Sequence, residues 1–214
     1  MKFKLQTVVF PIIGINILMY ILQLNLGVWF TENLKLVSED VFYKPWMLLT
    51  SMFLHSLDNS THILFNMLGL LIFGPILESR IGAKRFLIIY LTSGLIAGFA
   101  AAVFYPDSLG ASGAIMGMIG ALIWLMPNLR ILLFFIIPMP LWMAGIAWAL
   151  LDIFGFFFTS GIANAAHIAG MATGLAFGYN LKQKGGRARK KIDIGSKKHL
   201  TAQELEDYMR DGRL

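Results

Sequence analysis

The stretch NAAHIAGMATGLAFG, residues 164–178, decides how the chain is read. Glycines at 170, 174 and 178 recur every four residues, so one helix face carries no side chains and admits a neighbouring backbone. His167 precedes Gly170 by three residues and shares that face. A matching surface lies in Gly110-Ala111-Ser112-Gly113, whose helix continues through Gly117 and Gly120. The two segments are therefore predicted to pack backbone to backbone and to bring the Ser112 hydroxyl within reach of the His167 imidazole.

The surroundings of these segments are apolar. The 214 residues are 57% hydrophobic and 14% charged, with a mean hydropathy of +0.68, which is more apolar surface than a soluble domain of this size can hide. Apolar runs predict six spans near residues 7–26, 61–78, 84–105, 111–126, 141–158 and 163–181. The predicted fold class is an all-α polytopic membrane protein. Residues 1–181 form a six-span domain, and residues 182–214 form a basic cytoplasmic tail in which Thr201 and Glu204 have capping-box spacing for a short helix. The first span shows no small-residue cleavage site and is expected to be retained as an anchor. Leu129–Ile137 is too short to cross and ends at Pro138-Met139-Pro140, so it is expected at the interface rather than in a helix.

Charge sets the orientation. Sixteen of the 18 Lys and Arg residues fall on one side under the six-span reading, while Lys35 and Lys44 share the opposite loop with Glu32, Glu39, Asp40 and Asp58. Both termini are expected in the cytoplasm of a cell-membrane protein whose site opens to the extracytoplasmic side. The basic cluster Lys182 to Lys198 has no interleaved aromatic residues for base stacking, so anionic lipid is the expected partner and nucleic acid is not. Asn59-Ser60-Thr61 matches a glycosylation acceptor but sits at the mouth of a span, and it is expected to be unmodified.

With no cysteine in the chain, thiol catalysis, disulfides and thiolate metal sites are excluded. Strongly polar side chains inside spans cost roughly 2.5–3.5 kcal/mol at the bilayer centre, and each needs a partner or a task. The residues concerned are His62, Asn66, Ser112, Asp152, Asn164 and His167. Helix rise puts Ser112, His167 and His62 each about 22–24 Å from the cytoplasmic end of its own span, which is one common depth below the outer surface. Asp152, at about 16 Å, falls below that level and is read as structural. His55, in the loop before the second span, is expected to order that loop.

Serine is too weak an acid to attack an amide unaided; a neutral imidazole takes its proton and later returns it to the leaving amine. The backbone N–H at the start of the Ser112 helix can hold an oxyanion. His62 and Asn66, spaced i to i+4, can aim further donors at the same point.

These residues resemble the rhomboid family of intramembrane serine proteases. The likeness runs from about Trp46 to Tyr179 and is carried by WMLLTSMFLH (46–55), HILFN (62–66), Glu78-Ser79-Arg80, Gly110-Ala111-Ser112-Gly113 and NAAHIAG (164–170) with Gly174. The resemblance implies a six-helix rhomboid bundle with a Ser112 and His167 dyad lacking a catalytic acid. It also implies an oxyanion hole of the Ser112 N–H, His62 and Asn66, transmembrane protein substrates cut near their outer ends, and no cofactor or metal. Two departures stand out. Met116 occupies the position where many relatives place an aromatic residue, and His55 and His62 are seven apart where five is common.

Other chemistries lack their residues. There is no His-Glu-x-x-His zinc motif, only one aspartate lies well inside a span where an aspartyl dyad needs two, and no inverted repeat suggests a transporter. The second-ranked reading is a catalytically silent rhomboid-like protein that binds membrane helices, although such relatives typically lack the serine and histidine retained here.

Overall fold

The computed structural model describes residues 7–133, 136–158 and 162–191. Among them are seven α-helices and two short two-stranded ribbons. Three helices are long and apolar enough by themselves to cross a membrane: α1 (Val9–Leu34), α3 (Ser60–Ile81) and α4 (Ala83–Phe104). Two apolar helices are shorter, α5 (Ser112–Leu125) and α6 (Leu141–Phe157), and α7 (Asn164–Lys191) closes the described chain. The short α2 (Met47–Thr50) runs directly into a 3-10 turn, Ser51–Phe53.

Helix α5 is the centre. Nine of its 14 residues are buried, Gly113 to Ile115 and Gly117 to Leu122, because α3, α4, α6 and α7 surround it. Its glycines set the closest approach, to α7. A Cβ placed on Gly170 would meet the Gly113 carbonyl, one on Gly174 the Gly117 carbonyl, and one on Gly178 the Ala121 carbonyl at 2.7 Å. The backbone-to-backbone packing predicted for these two segments is therefore what the fold contains. Against α4, the same helix uses the small pairs Gly113 with Ala97 and Gly117 with Ser93.

At about 1.5 Å per residue, the 14 residues of α5 measure about 21 Å, shorter than an apolar layer of about 30 Å. The apolar helices α3 and α4 packed beside it are each eight residues longer. The loop that leads into α5 is tied to the segment following α1 by the ribbon β1 (Leu36–Val37) with β2 (Asp107–Ser108). Lys35 seals the joint with ion pairs to Glu32 (2.8 Å) and Asp107 (2.7 Å), and hydrogen bonding to the Asp107 carboxylate raises its ammonium above the usual lysine range.

Three elements differ from their predicted extents. The first helix does not stop near residue 26: it breaks at Gly27, where φ is 70°, and resumes to Leu34. The seventh runs to Lys191, ten residues beyond the predicted end of the sixth span. The expected interfacial segment is not a helix, as predicted, but forms a hairpin, β3 (Arg130–Leu133) with β4 (Ile137–Pro140), in register Arg130 to Pro140. The prolines that forbid a helix are tolerated there because a two-stranded ribbon leaves edge positions that need no donor. The short tail helix read at Thr201 to Gly212, like Lys2 and Lys4, lies outside the described residues.

Local signals place the remaining ends. Asn59 caps α3 through an Oδ1 that accepts the Thr61 N–H at 3.1 Å, which engages the acceptor-pattern asparagine in the fold. Gly82, at φ 83°, turns α3 into α4. Near the opposite end of the bundle from Ser112, the buried Glu78 carboxylate accepts the Val8 N–H at 3.1 Å and the Thr7 hydroxyl, holding the start of α1 against the end of α3.

Candidate active site

Ser112 is the first residue of α5, so its backbone N–H has no acceptor within the helix and carries the positive end of the helix dipole. His167 sits one turn into α7, whose first turn is fixed by the Tyr105 phenol accepting the Ala165 N–H at 3.0 Å. The glycine stripe holds these helices so close that His167 Nε2 lies 2.7 Å from Ser112 Oγ. The pair predicted from depth and spacing is brought together.

His62 joins it from α3. Its Nδ1 accepts the Ser56 N–H at 3.3 Å, which assigns the ring proton to Nε2 in the neutral form. That nitrogen lies against Gly110: a Cβ there would stand 2.8 Å from His62 Nε2 and 3.8 Å from Ser112 Oγ. Gly110 is therefore glycine for two reasons, its φ of 129° and the imidazole beside it. Asn66, one turn deeper and 5% exposed, donates its amide to the His62 carbonyl at 2.8 Å, and its Oδ1 has no partner among the described residues. Of the two side-chain donors expected near the serine, His62 places Nε2 beside Gly110, two residues before Ser112, while one Asn66 N–H is engaged within its own helix.

His55 is fully buried and stacks edge-to-face on His62, with ring centres 5.1 Å apart. Burial first, and the neighbouring His62 second, push its imidazole down to about 3, so His55 adds no charge beside His62. The loop is held at the His55 backbone by a glutamine of the first helix. Gln23 of α1 donates to the His55 carbonyl and accepts the His55 N–H, both at 3.0 Å. A glutamine within an apolar run was the available signal. Met116 packs against the main core. Asn164, nearly buried, donates to the Ile162 carbonyl at 3.1 Å, and its amide fills the space above Gly155 of α6.

Asp152, expected to be structural, places Oδ1 3.0 Å from His167 Nδ1, on the side of the ring away from Ser112. Beside the serine, a small cavity is lined by Ser51, Met52, Gly94, Ala97 and Ala166. No group of three or more His, Cys, Asp or Glu side chains that could hold a metal occurs among the described residues.

A helical membrane fold that sets a half-buried serine at a helix N-terminus, hydrogen-bonded to a histidine of the adjoining helix, defines the class. A family model described as the Rhomboid domain matches residues 43–184, and the chain belongs to the rhomboid family. Similar proteins include Rhomboid protein 1, mitochondrial, of Saccharomyces cerevisiae, 30% identical across 83% of this chain and 54% of its own length. Rhomboid protease GluP of Bacillus subtilis is 34% identical across 78% of this chain and 33% of its own length. Rhomboid protease GlpG of Klebsiella pneumoniae is 31% identical across 64% and 49%. The chain thus spans about a third to a half of the length of these relatives.

Proposed function

We propose that the protein is an intramembrane serine endopeptidase that hydrolyses peptide bonds in or near the transmembrane segments of other membrane proteins. The observation that carries this reading is the 2.7 Å contact between Ser112 Oγ and His167 Nε2 at a helix N-terminus. Relatives named as proteases, GluP and GlpG, support it.

Ser112 Oγ attacks the substrate carbonyl carbon as its proton passes to His167 Nε2. The carbonyl oxygen becomes an oxyanion that accepts from the Ser112 N–H and from His62 Nε2–H, with the second N–H of the Asn66 amide as a further donor. As the C–N bond breaks, His167 returns the proton to the leaving amine. Water then repeats the sequence on the acyl-enzyme, regenerating the serine. The cavity beside Ser112, with its glycine and alanine walls, favours a small side chain next to the bond cut. No step calls for a metal or cofactor.

The finer topology belongs to the same proposal. The chain crosses a cell membrane six times with both termini cytoplasmic, the site opening outward and the basic residues beyond Leu181 meeting anionic lipid. The test is cleavage of a single-span reporter in liposomes by wild type beside Ser112→Ala and His167→Ala. Cleavage by wild type alone supports the proposal; cleavage retained by either variant overturns it. Absence of cleavage by folded wild type shifts weight to a silent rhomboid-like helix binder.

A further inference from the structure

Helix α6 lies at the edge of the bundle. Its buried residues are Leu141, Ala144, Gly145 and Asp152, so the one side chain it buries in its outer half is a carboxylate. Around it, Leu150, Leu151, Ile153 and Phe154 face outward. A lone acid at such a position needs a partner, and its Oδ1 has one at 3.0 Å in His167 Nδ1. The other ring nitrogen of the same imidazole is the one that touches Ser112.

We propose that Asp152 is a positioning residue that completes a Ser112, His167 and Asp152 relay, beyond the two-residue dyad the family resemblance implies. This rests on the serine-protease reading above. An ionised carboxylate has only acceptors, so a neutral imidazole facing it must carry its proton on Nδ1. Nε2 is then bare and accepts from the Ser112 hydroxyl, the one tautomer in which His167 can act as base. When Nε2 takes the serine proton, the imidazolium forms against a fixed negative charge. Asp152 itself gains no proton; the proton stays on Nε2 until the amine leaves. The arrangement also answers for Met116. Where an aromatic ring is not available to brace the histidine, the hydrogen bond from α6 holds its plane and angle. Because α6 is the least enclosed of the helices around α5, its docking onto α7 at Asp152 couples the position of an edge helix to the readiness of the serine.

The experiment compares wild type, Asp152→Ala and Asp152→Asn in the same liposomes. It reads kcat and KM on the reporter, the rate of fluorophosphonate labelling, and the ring nitrogen shifts of His167 in ¹⁵N-histidine protein, assigned by His167→Ala. The expected result is a kcat lower by about a hundredfold in both variants, the size of a general-base contribution, with KM within about threefold. Labelling slows in parallel, and the His167 proton leaves Nδ1. Asp152→Asn keeps the shape of the side chain should the alanine variant misfold. A kcat within about twofold of wild type in Asp152→Asn, or a wild-type His167 protonated on Nε2, overturns the proposal. So does lost activity with an unchanged tautomer and a raised KM, which marks a purely structural residue. If wild type itself does not cleave, the protease reading fails, while the nitrogen shifts still decide whether Asp152 sets the tautomer.

Discussion

Ser112 and His167 could be paired from the sequence because two independent quantities agreed: distance along each helix and the glycine face on which the histidine lies. The same counting gave no hint that Asp152 would meet His167. Depth compared by helix rise places Cα atoms, but an imidazole presents two nitrogens, and a carboxylate set lower in the bundle meets the one turned away from the serine. A single acid in an apolar span was the better signal, since its cost demands a partner whatever its level. At this scale the account expects Ser112→Ala and His167→Ala each to abolish reporter cleavage while the protein remains folded by circular dichroism. His62→Ala removes an oxyanion donor and is expected to lower kcat by roughly a hundredfold to a thousandfold with little change in KM, measured by reporter turnover. Asn66→Ala is expected to cost less than His62→Ala in the same assay, because one of its N–H groups is already given to the His62 carbonyl.

Among the elements, α5 and α7 were the most legible and the loops the least. Small residues every four positions have one physical use in an apolar helix, and the contacts of Gly170, Gly174 and Gly178 with the α5 backbone are that use. The hairpin of β3 with β4 was visible only as a helix that could not form, since paired strands this short leave no hydropathy period. The extension of α1 past Gly27 was missed because a glycine at positive φ kinks a helix without ending it. Gly174→Ala would drive a Cβ into the Gly117 carbonyl and push α7 from α5. Overpacking of this kind costs about 1–3 kcal/mol, so Tm in detergent is expected to fall by roughly 2–12 °C, with reporter cleavage falling alongside as His167 leaves Ser112. Gly14→Ala, where no atom lies within 4 Å of the added carbon, is the matched control and is expected to change neither.

For the whole molecule, charge and hydropathy carry the orientation, and the chain offers a clean means of reading it. Because there is no native cysteine, single cysteines report one position at a time. Under the proposed orientation, Lys44→Cys is expected to react with a membrane-impermeant maleimide on intact cells, and Arg130→Cys only after permeabilisation. The reverse pattern, or equal labelling, contradicts the six-span arrangement. At the end of the bundle away from Ser112, Trp124 meets Tyr179 edge-on and lies under Lys182, whose ammonium is 5.6 Å from the indole, a grouping suited to an apolar-to-polar boundary. Glu78 at one end of the bundle and the Lys35 joint at the other tie together the ends of its helices. Between those two fastenings, the short α5 keeps a polar site inside an apolar envelope.

The central claim is that Ser112 is an activated nucleophile, and one measurement meets it directly: mass spectrometric mapping of the fluorophosphonate adduct on the protein reconstituted in liposomes. The account predicts a single adduct on Ser112, absent when His167 is replaced by alanine. An adduct confined to another residue, or none on folded wild-type protein, contradicts it.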